Sequence, residues 1–220
     1  TIDGPVAAGK TTVAHRLASH LQFTLLDTGA IYRAVAWLAR EADQDWHLEE
    51  AVKPLACRLT IGFRFRDGVN RVLVDGRDVT EEIRQPEISE GASVVSAHPG
   101  VRAALLELQR QHGNCHDVIV EGRDTGTVVF PDAESKFFLT AQPEVRARRR
   151  FSELRAKGVD VALDTVLEEL RLRDHRDSTR AVAPLMAPPG ALSIDSSDMS
   201  VDDVFDTILR HLPSEDTTER

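Results

Sequence analysis

Gly4-Pro5-Val6-Ala7-Ala8-Gly9-Lys10-Thr11, followed by Thr12, decides how the rest of this 220-residue chain is read. The order is Gly, four residues, then Gly-Lys-Thr, and each fixed position has a physical task. The glycines let the backbone turn its N–H groups inward around phosphate oxygens, where a Cβ would block close approach. Lys10 can reach the outer phosphates, and the Thr11 hydroxyl is suited to coordinate Mg²⁺. The alternative, a Gly-rich helix cap that matches by chance, fits the context poorly. Ile2-Asp3 reads as the end of a strand, and beyond Thr12 the residues Val13, Leu17 and Leu21 share one helix face. That helix aims its N-terminus at the anion. Gly4 to Thr12 is therefore expected to bind a nucleoside triphosphate.

Outward from the loop, strands and helices alternate. Phe23-Thr24-Leu25-Leu26, Val118-Ile119-Val120, Phe137-Phe138-Leu139 and Ala191-Leu192-Ser193-Ile194 are short apolar strands. Between them, helices are expected after Asp27-Thr28-Gly29 and over 99–111, 143–157, 163–174 and 201–212. Continuous apolar strands separated by helices imply an α/β fold, a parallel sheet of about five strands covered on both faces. One region breaks the rhythm. Leu59, Ile61, Phe63 and Phe65 alternate with polar residues and Gly, the period of a half-exposed strand. Asp67-Gly68 and Asp75-Gly76 supply turns on either side of Val72-Leu73-Val74. A small antiparallel sheet inserted over about 53–97 is expected. The whole of 1–220 reads as one unit: core 1–52, 98–145 and 175–212, insertion 53–97, a short lid 146–174 and a polar tail 213–220.

Composition narrows the function classes. The net charge of −9 argues against non-specific binding to nucleic acid or anionic lipid. No apolar run is long enough to span a bilayer and no signal-peptide pattern appears. A cytoplasmic monomer is expected, with Cys57 and Cys115 as reduced, half-buried thiols. With almost no strand before its loop, the chain is expected to lack a few N-terminal residues. Arginine dominates the 27 basic residues, the lysines being Lys10, Lys53, Lys136 and Lys157 alone. The stretch from Arg146 to Arg180 is especially rich in it, which points to a local anion site, although several of these side chains will simply pair with neighbouring Glu and Asp.

A phosphate loop alone does not say what is done with the nucleotide. A regulatory GTPase would need Asn- or Thr-Lys-x-Asp to read guanine, and no lysine here has that context. Motor ATPases usually end an apolar strand in adjacent acids, whereas Val118-Ile119-Val120 ends in Glu121-Gly122. A small-molecule kinase remains, and it needs many arginines to bring two polyanions together. Three segments could supply them: Leu26-Asp27-Thr28-Gly29-Ala30-Ile31-Tyr32-Arg33, Glu121-Gly122-Arg123-Asp124 with Gly126-Thr127-Val128-Val129, and Arg173-Asp174-His175-Arg176-Asp177-Ser178-Thr179-Arg180-Ala181-Val182-Ala183-Pro184-Leu185. With the loop, and in this order from Ile2 to about Val204, they resemble the bacterial cytidylate kinase family of P-loop nucleoside monophosphate kinases.

The resemblance implies transfer of a phosphoryl group from MgATP to CMP or dCMP, and an enlarged acceptor-binding insertion carrying a small antiparallel sheet. It places Thr28 and Arg33 on the acceptor phosphate, with Tyr32 lining the pocket and Thr28 also at a helix N-cap. Ser93, Arg102 and Asp124 fall around the cytosine. A carboxylate can accept from its N4 amino group and a guanidinium can donate to N3 or O2. Asp124 could instead accept from backbone N–H groups of the turn that follows it. Arg123, Arg173 and Arg180 resemble a phosphate clamp and join Lys10 as catalytic candidates, with Asp177 and Arg173 also near the acceptor ribose. Arg173, Asp177 and Arg180 share one face if that segment is helical. Arg148, Arg149 and Arg150 are expected to begin the lid, with at most one or two reaching phosphate. Two positions depart from the family pattern: Glu121 stands where many members have Asp, and could hold a Mg²⁺-bound water, while Thr125 replaces an apolar residue and is expected only to adjust packing. The competing readings are a kinase of UMP, AMP or shikimate, and a nucleotide-binding regulatory domain.

Overall fold

The computed structural model describes residues 1–66, 69–114 and 117–213. The Asp67-Gly68 turn, Cys115 and the tail beyond Pro213 lie outside them. From the N-terminus the chain forms β1 (Ile2–Asp3), α1 (Lys10–Leu21), β2 (Thr24–Asp27), α2 (Thr28–Glu41), α3 (Glu49–Cys57), β3 (Ile61–Arg66), β4 (Val69–Val74) and β5 (Arg77–Asp78). It continues with α4 (Pro86–Val95), α5 (Pro99–Gly113), β6 (Val118–Gly122), β7 (Phe137–Thr140), α6 (Pro143–Ala156), α7 (Leu163–Thr179), β8 (Leu192–Asp195) and α8 (Val201–Arg210).

The apolar runs pair as a five-stranded sheet in the order β2-β6-β1-β7-β8, every pairing parallel. Alternation of side chains across a strand divides the apolar residues between two faces. Leu26 and Val120 pack into one core with α2, α3, α4, α5 and the small sheet. Leu25 and Ile119 pack into another with α1, β7, β8 and α8. A third, smaller cluster of Ala147, Leu154, Val166 and Leu170 joins α6 to α7 and touches Val6 of the loop.

The inserted sheet is antiparallel, in the order β3-β4-β5. Asp75 and Gly76, at φ 49° and 80°, make the tight turn that the sequence places there. β5 and the helix α3 have no counterpart in the sequence reading. Pro54 interrupts the helical pattern of α3. α4 carries the small residues Gly91, Ala92 and Ser93 because it packs closely, and a Cβ on Gly91 would meet the Trp46 ring at 2.7 Å. Two further expectations are corrected. Cys57, at the end of α3, is exposed rather than half-buried, because the apolar face of this short helix is carried by Val52, Leu55 and Ala56. α7 runs on to Thr179, past the 174 at which its apolar periodicity fades.

Parallel register aligns the carboxyl ends of the strands. Asp27 lies opposite Glu121, and Asp3 opposite Gly122. Three acidic side chains thus stand along the edge of the sheet from which the phosphate loop emerges, the usual ligand edge of an open parallel sheet.

Candidate active site

The loop between β1 and α1 is held in a conformation few residues tolerate. Gly4, Ala7 and Gly9 all have positive φ, at 147°, 58° and 96°. Gly4 is obligatory twice over, since a Cβ there would sit 1.9 Å from the Leu139 carbonyl oxygen. Successive turns of this kind gather N–H groups on the inside, and α1 begins at Lys10 to add its own. Val6, Ala7, Gly9, Lys10, Thr11 and Thr12 line a polar cleft, and Gly4, Pro5 and Ala8 of the same loop do not.

Lys10 is buried and donates to the Pro5 carbonyl at 2.7 Å. Burial pushes its pKa well down, helped by the Arg123 guanidinium. Arg173 is also depressed, to about 10, by burial and then by Arg123. Its Nε is buried with no hydrogen-bond partner among the described residues. Burial and mutual repulsion outweigh what the nearby acids Glu121, Asp3 and Asp177 offset, and a polyphosphate would supply further counter-charge.

The acceptor candidates converge on the same cleft. It is lined by Thr28, Tyr32, Arg33, Arg102, Arg123, Asp124, Arg173, Asp177 and Arg180. α2 brings Arg33, which donates to Asp27 Oδ2 at 2.5 Å. α5 brings Arg102, buried beside the Tyr32 ring at 5.4 Å from its centroid. Arg102 donates to Asp124 Oδ2 and, at 3.2 Å, to the Ser96 carbonyl. The other Asp124 oxygen accepts from Arg180 at 3.4 Å. Asp177 accepts from Arg123 Nε at 3.2 Å. The continuous α7 carries Arg173 and Asp177 toward the cleft, and Arg180 stands just past its end in extended backbone.

Several expectations change in detail. Ser93 is buried in α4 and does not line the cleft; its hydroxyl accepts from Arg176 at 2.8 Å. Asp27, not Thr28, is the N-cap of α2 and accepts from the Ala30 N–H at 3.1 Å. A carboxylate is the stronger acceptor, and it holds Arg33 as well. Thr28 is the first helical residue and its hydroxyl donates to the Glu121 carbonyl at 2.8 Å. The backbone turn after Asp124 is held by Asp3, whose carboxylate accepts from the N–H groups of Thr125 and Gly126 at 2.9 and 2.7 Å. Thr125 does more than adjust packing, because its hydroxyl donates to Asp3 at 2.8 Å. Of the three consecutive arginines on α6, Arg150 lines the cleft, Arg148 is exposed, and Arg149 donates to Ser196. Asp3, Ser96 and Arg146 escaped the sequence reading. An acid closing a strand before a phosphate loop is a legible signal, but Ser96 and Arg146 carry none.

The Thr11 hydroxyl donates to Glu121 Oε2 at 2.9 Å, while Glu121 Oε1 is buried with no hydrogen-bond partner among the described residues. Burial, reinforced by Asp27 across the strand pair, pushes the Glu121 carboxyl up to about 7. An orphaned carboxylate oxygen beside a loop threonine fits a Mg²⁺ ion that keeps most of its waters.

A phosphate loop on the carboxyl edge of a parallel sheet, faced by an arginine cluster in one cleft, defines a P-loop phosphotransferase. The family model described as "Cytidylate kinase" matches residues 1–214. The chain belongs to that family. It is 50% identical to a cytidylate kinase of Pseudomonas aeruginosa (strain UCBPP-PA14) over 96% of its own length and 93% of that protein's. With a cytidylate kinase of Stutzerimonas stutzeri (strain A1501) the identity is 48%, covering 98% of this chain and 95% of the other. Among solved structures, an uncharacterized protein from Eubacterium ventriosum ATCC 27560 shares the fold at 14% identity, TM-score 0.50, over 97% of this chain and 96% of that one.

Proposed function

We propose that this protein catalyses transfer of the γ-phosphoryl group of ATP to the phosphate of CMP or dCMP, giving ADP and CDP or dCDP. The observation that carries this reading is the presence of both halves of such a reaction in one cleft: the phosphate loop with Lys10, and the buried pair Arg102–Asp124 beside Tyr32. A binding module would need the first half only. The relatives named above support cytidylate as acceptor.

In this reading the loop N–H groups and Lys10 hold the donor phosphates. Thr28 and Arg33 take the acceptor phosphate, Arg33 exchanging its Asp27 partner for it. Arg102 and Asp124 present a donor and an acceptor to the cytosine edge, the pattern that separates it from uracil. Ser93 contributes by fixing Arg176. Asp177 serves the ribose and holds Arg123. The attacking oxygen belongs to an already ionised phosphate, so no general base is required. As the P–O bond to ADP breaks and the bond to the acceptor forms, Arg123, Arg173 and Arg180 neutralise charge on the transferring group. Thr11, with Glu121 through water, would hold Mg²⁺, which supplies charge neutralisation at the outer phosphates when bound. The segments 53–97 and 146–174 act as the parts that close over the substrates and exclude water. The protein works as a monomer in the cytoplasm.

A coupled ADP-release assay across CMP, dCMP, UMP, AMP, GMP and shikimate tests the proposal. CMP and dCMP should be the fastest acceptors. A faster alternative acceptor would overturn the assignment, and turnover with none of them would favour a regulatory binding role.

A further inference from the structure

Arg146 has no part in the scheme above, yet its side chain is only 4% exposed. A buried guanidinium is tolerated when its donors are satisfied, and what satisfies them shows what it holds together. Nε donates to the Ala141 carbonyl just after β7 at 2.9 Å. Nη1 donates to the Val6 carbonyl in the phosphate loop at 3.2 Å. The fork also grips both oxygens of Asp174 on α7, at 3.2 and 2.6 Å.

The Val6 contact has a directional consequence. In a trans peptide the C=O and the following N–H point in opposite directions. Holding the Val6 oxygen toward α6 therefore turns the Ala7 N–H the other way. Ala7 lines the cleft and sits at φ 58°, a conformation that costs an alanine free energy and needs outside support. A second tie lies one turn along the same helix face. Arg149 donates to Ser196 Oγ at 3.0 Å, and that hydroxyl is shared between the carbonyls of Thr140, at 3.0 Å, and Ala8, at 3.2 Å. The Asp174 contact works at the other end, because its neighbour Arg173 lines the cleft.

We infer that Arg146 is a positioning residue for the phosphate donor: it orients the Ala7 N–H and fixes the helix of Arg173 against the loop, touching neither nucleotide. This rests on the reading of the cleft as a kinase site only in naming ATP as the ligand of the loop.

The test compares Arg146→Met, Arg146→Lys, Asp174→Asn and Arg146→Met/Asp174→Asn with the parent protein. Calorimetry measures binding of a non-hydrolysable ATP analogue with Mg²⁺, and separately of CMP alone; turnover is corrected for the folded fraction by thermal melting. Arg146→Met should weaken the ATP analogue and slow kcat by about tenfold each, with a clearly smaller loss of CMP affinity, about threefold or less, since α7 also carries Asp177. Arg146→Lys should restore part of kcat, since an ammonium can still reach one carbonyl but cannot fork. Adding Asp174→Asn to Arg146→Met should cost nothing further, because Asp174 acts through the guanidinium. Equal losses for both nucleotides, or unchanged ATP affinity in a folded variant, would overturn the inference. Should Arg146→Met fail to fold, Asp174→Asn at the more exposed end of the pair carries the comparison, with a smaller loss in the same ATP-selective direction, because the Val6 contact stays in place. A parent protein that binds the ATP analogue but phosphorylates no CMP would sink the kinase reading and leave the binding comparison intact.

Discussion

Lys10 and Arg173 stand in this cleft at depressed pKa among ion-paired neighbours, and the loss of one charge or one partner has a predictable sign. Lys10→Ala should abolish most of kcat, yet leave the melting temperature equal or higher, because a buried, charge-crowded ammonium is removed. A lower melting temperature would show that Lys10 supports the loop even without nucleotide. Arg102→Met should raise the CMP dissociation constant by roughly tenfold or more while ATP affinity holds, since a buried charged hydrogen-bond partner is lost on the acceptor side alone. Equal losses would remove Arg102 from base reading. Asp3→Ala should be among the more damaging changes for stability. It leaves the buried N–H groups of Thr125 and Gly126 without acceptors, at about 1–3 kcal/mol each by urea denaturation. A loss below about 1 kcal/mol would mean that water replaces the carboxylate.

At the scale of elements, the decisive contact is that of the phosphate loop with β7. Gly4→Ala drives a Cβ into the Leu139 carbonyl at a φ alanine does not adopt, and should cost more than about 2 kcal/mol. Gly158→Ala, also at positive φ but in open space, should cost only about 1 kcal/mol in the same equilibrium measurement. Similar losses for the two would assign the effect to φ alone. Such a comparison also marks what could be read in advance. The loop, the parallel strands and the antiparallel hairpin were legible because their signals are local: glycine spacing, unbroken apolar runs, period-two alternation. Arg102, Arg123 and Asp124 were legible through their motifs, and the structure brings them to one cleft. The N-cap was misplaced by one residue because Asp27 and Thr28 are both good capping types, and the Arg33 contact that helps fix the acid there is not visible in the motif. α4 buries an apolar stripe of Ile88, Ala92 and Val95, a signal diluted by the small residues Gly91 and Ser93. Arg146 stayed hidden because its partners are backbone carbonyls far away in sequence.

The whole molecule is acidic, with a net charge of −9, but its cleft concentrates cations, several of them at depressed pKa. Inorganic pyrophosphate without Mg²⁺ should therefore stabilise the protein at constant ionic strength. At 100 times its dissociation constant the gain is about 2.7 kcal/mol, or roughly 5–10 °C in melting temperature for a chain of this size. No shift, or an equal shift in Lys10→Ala, would contradict a preformed polyanion site. The division of apolar residues into separate cores has a further bearing. Arg33, Arg102 and Ser93 hang from helices rooted in the core on one face of the sheet, and α1 behind the phosphate loop is rooted in the core on the other. Substitutions in separate cores that share no partners combine nearly additively. Selection can thus redraw the acceptor pocket, and with it the choice of base or sugar, while inheriting the phosphate grip unaltered: lineages of this fold are free to diverge one substrate at a time.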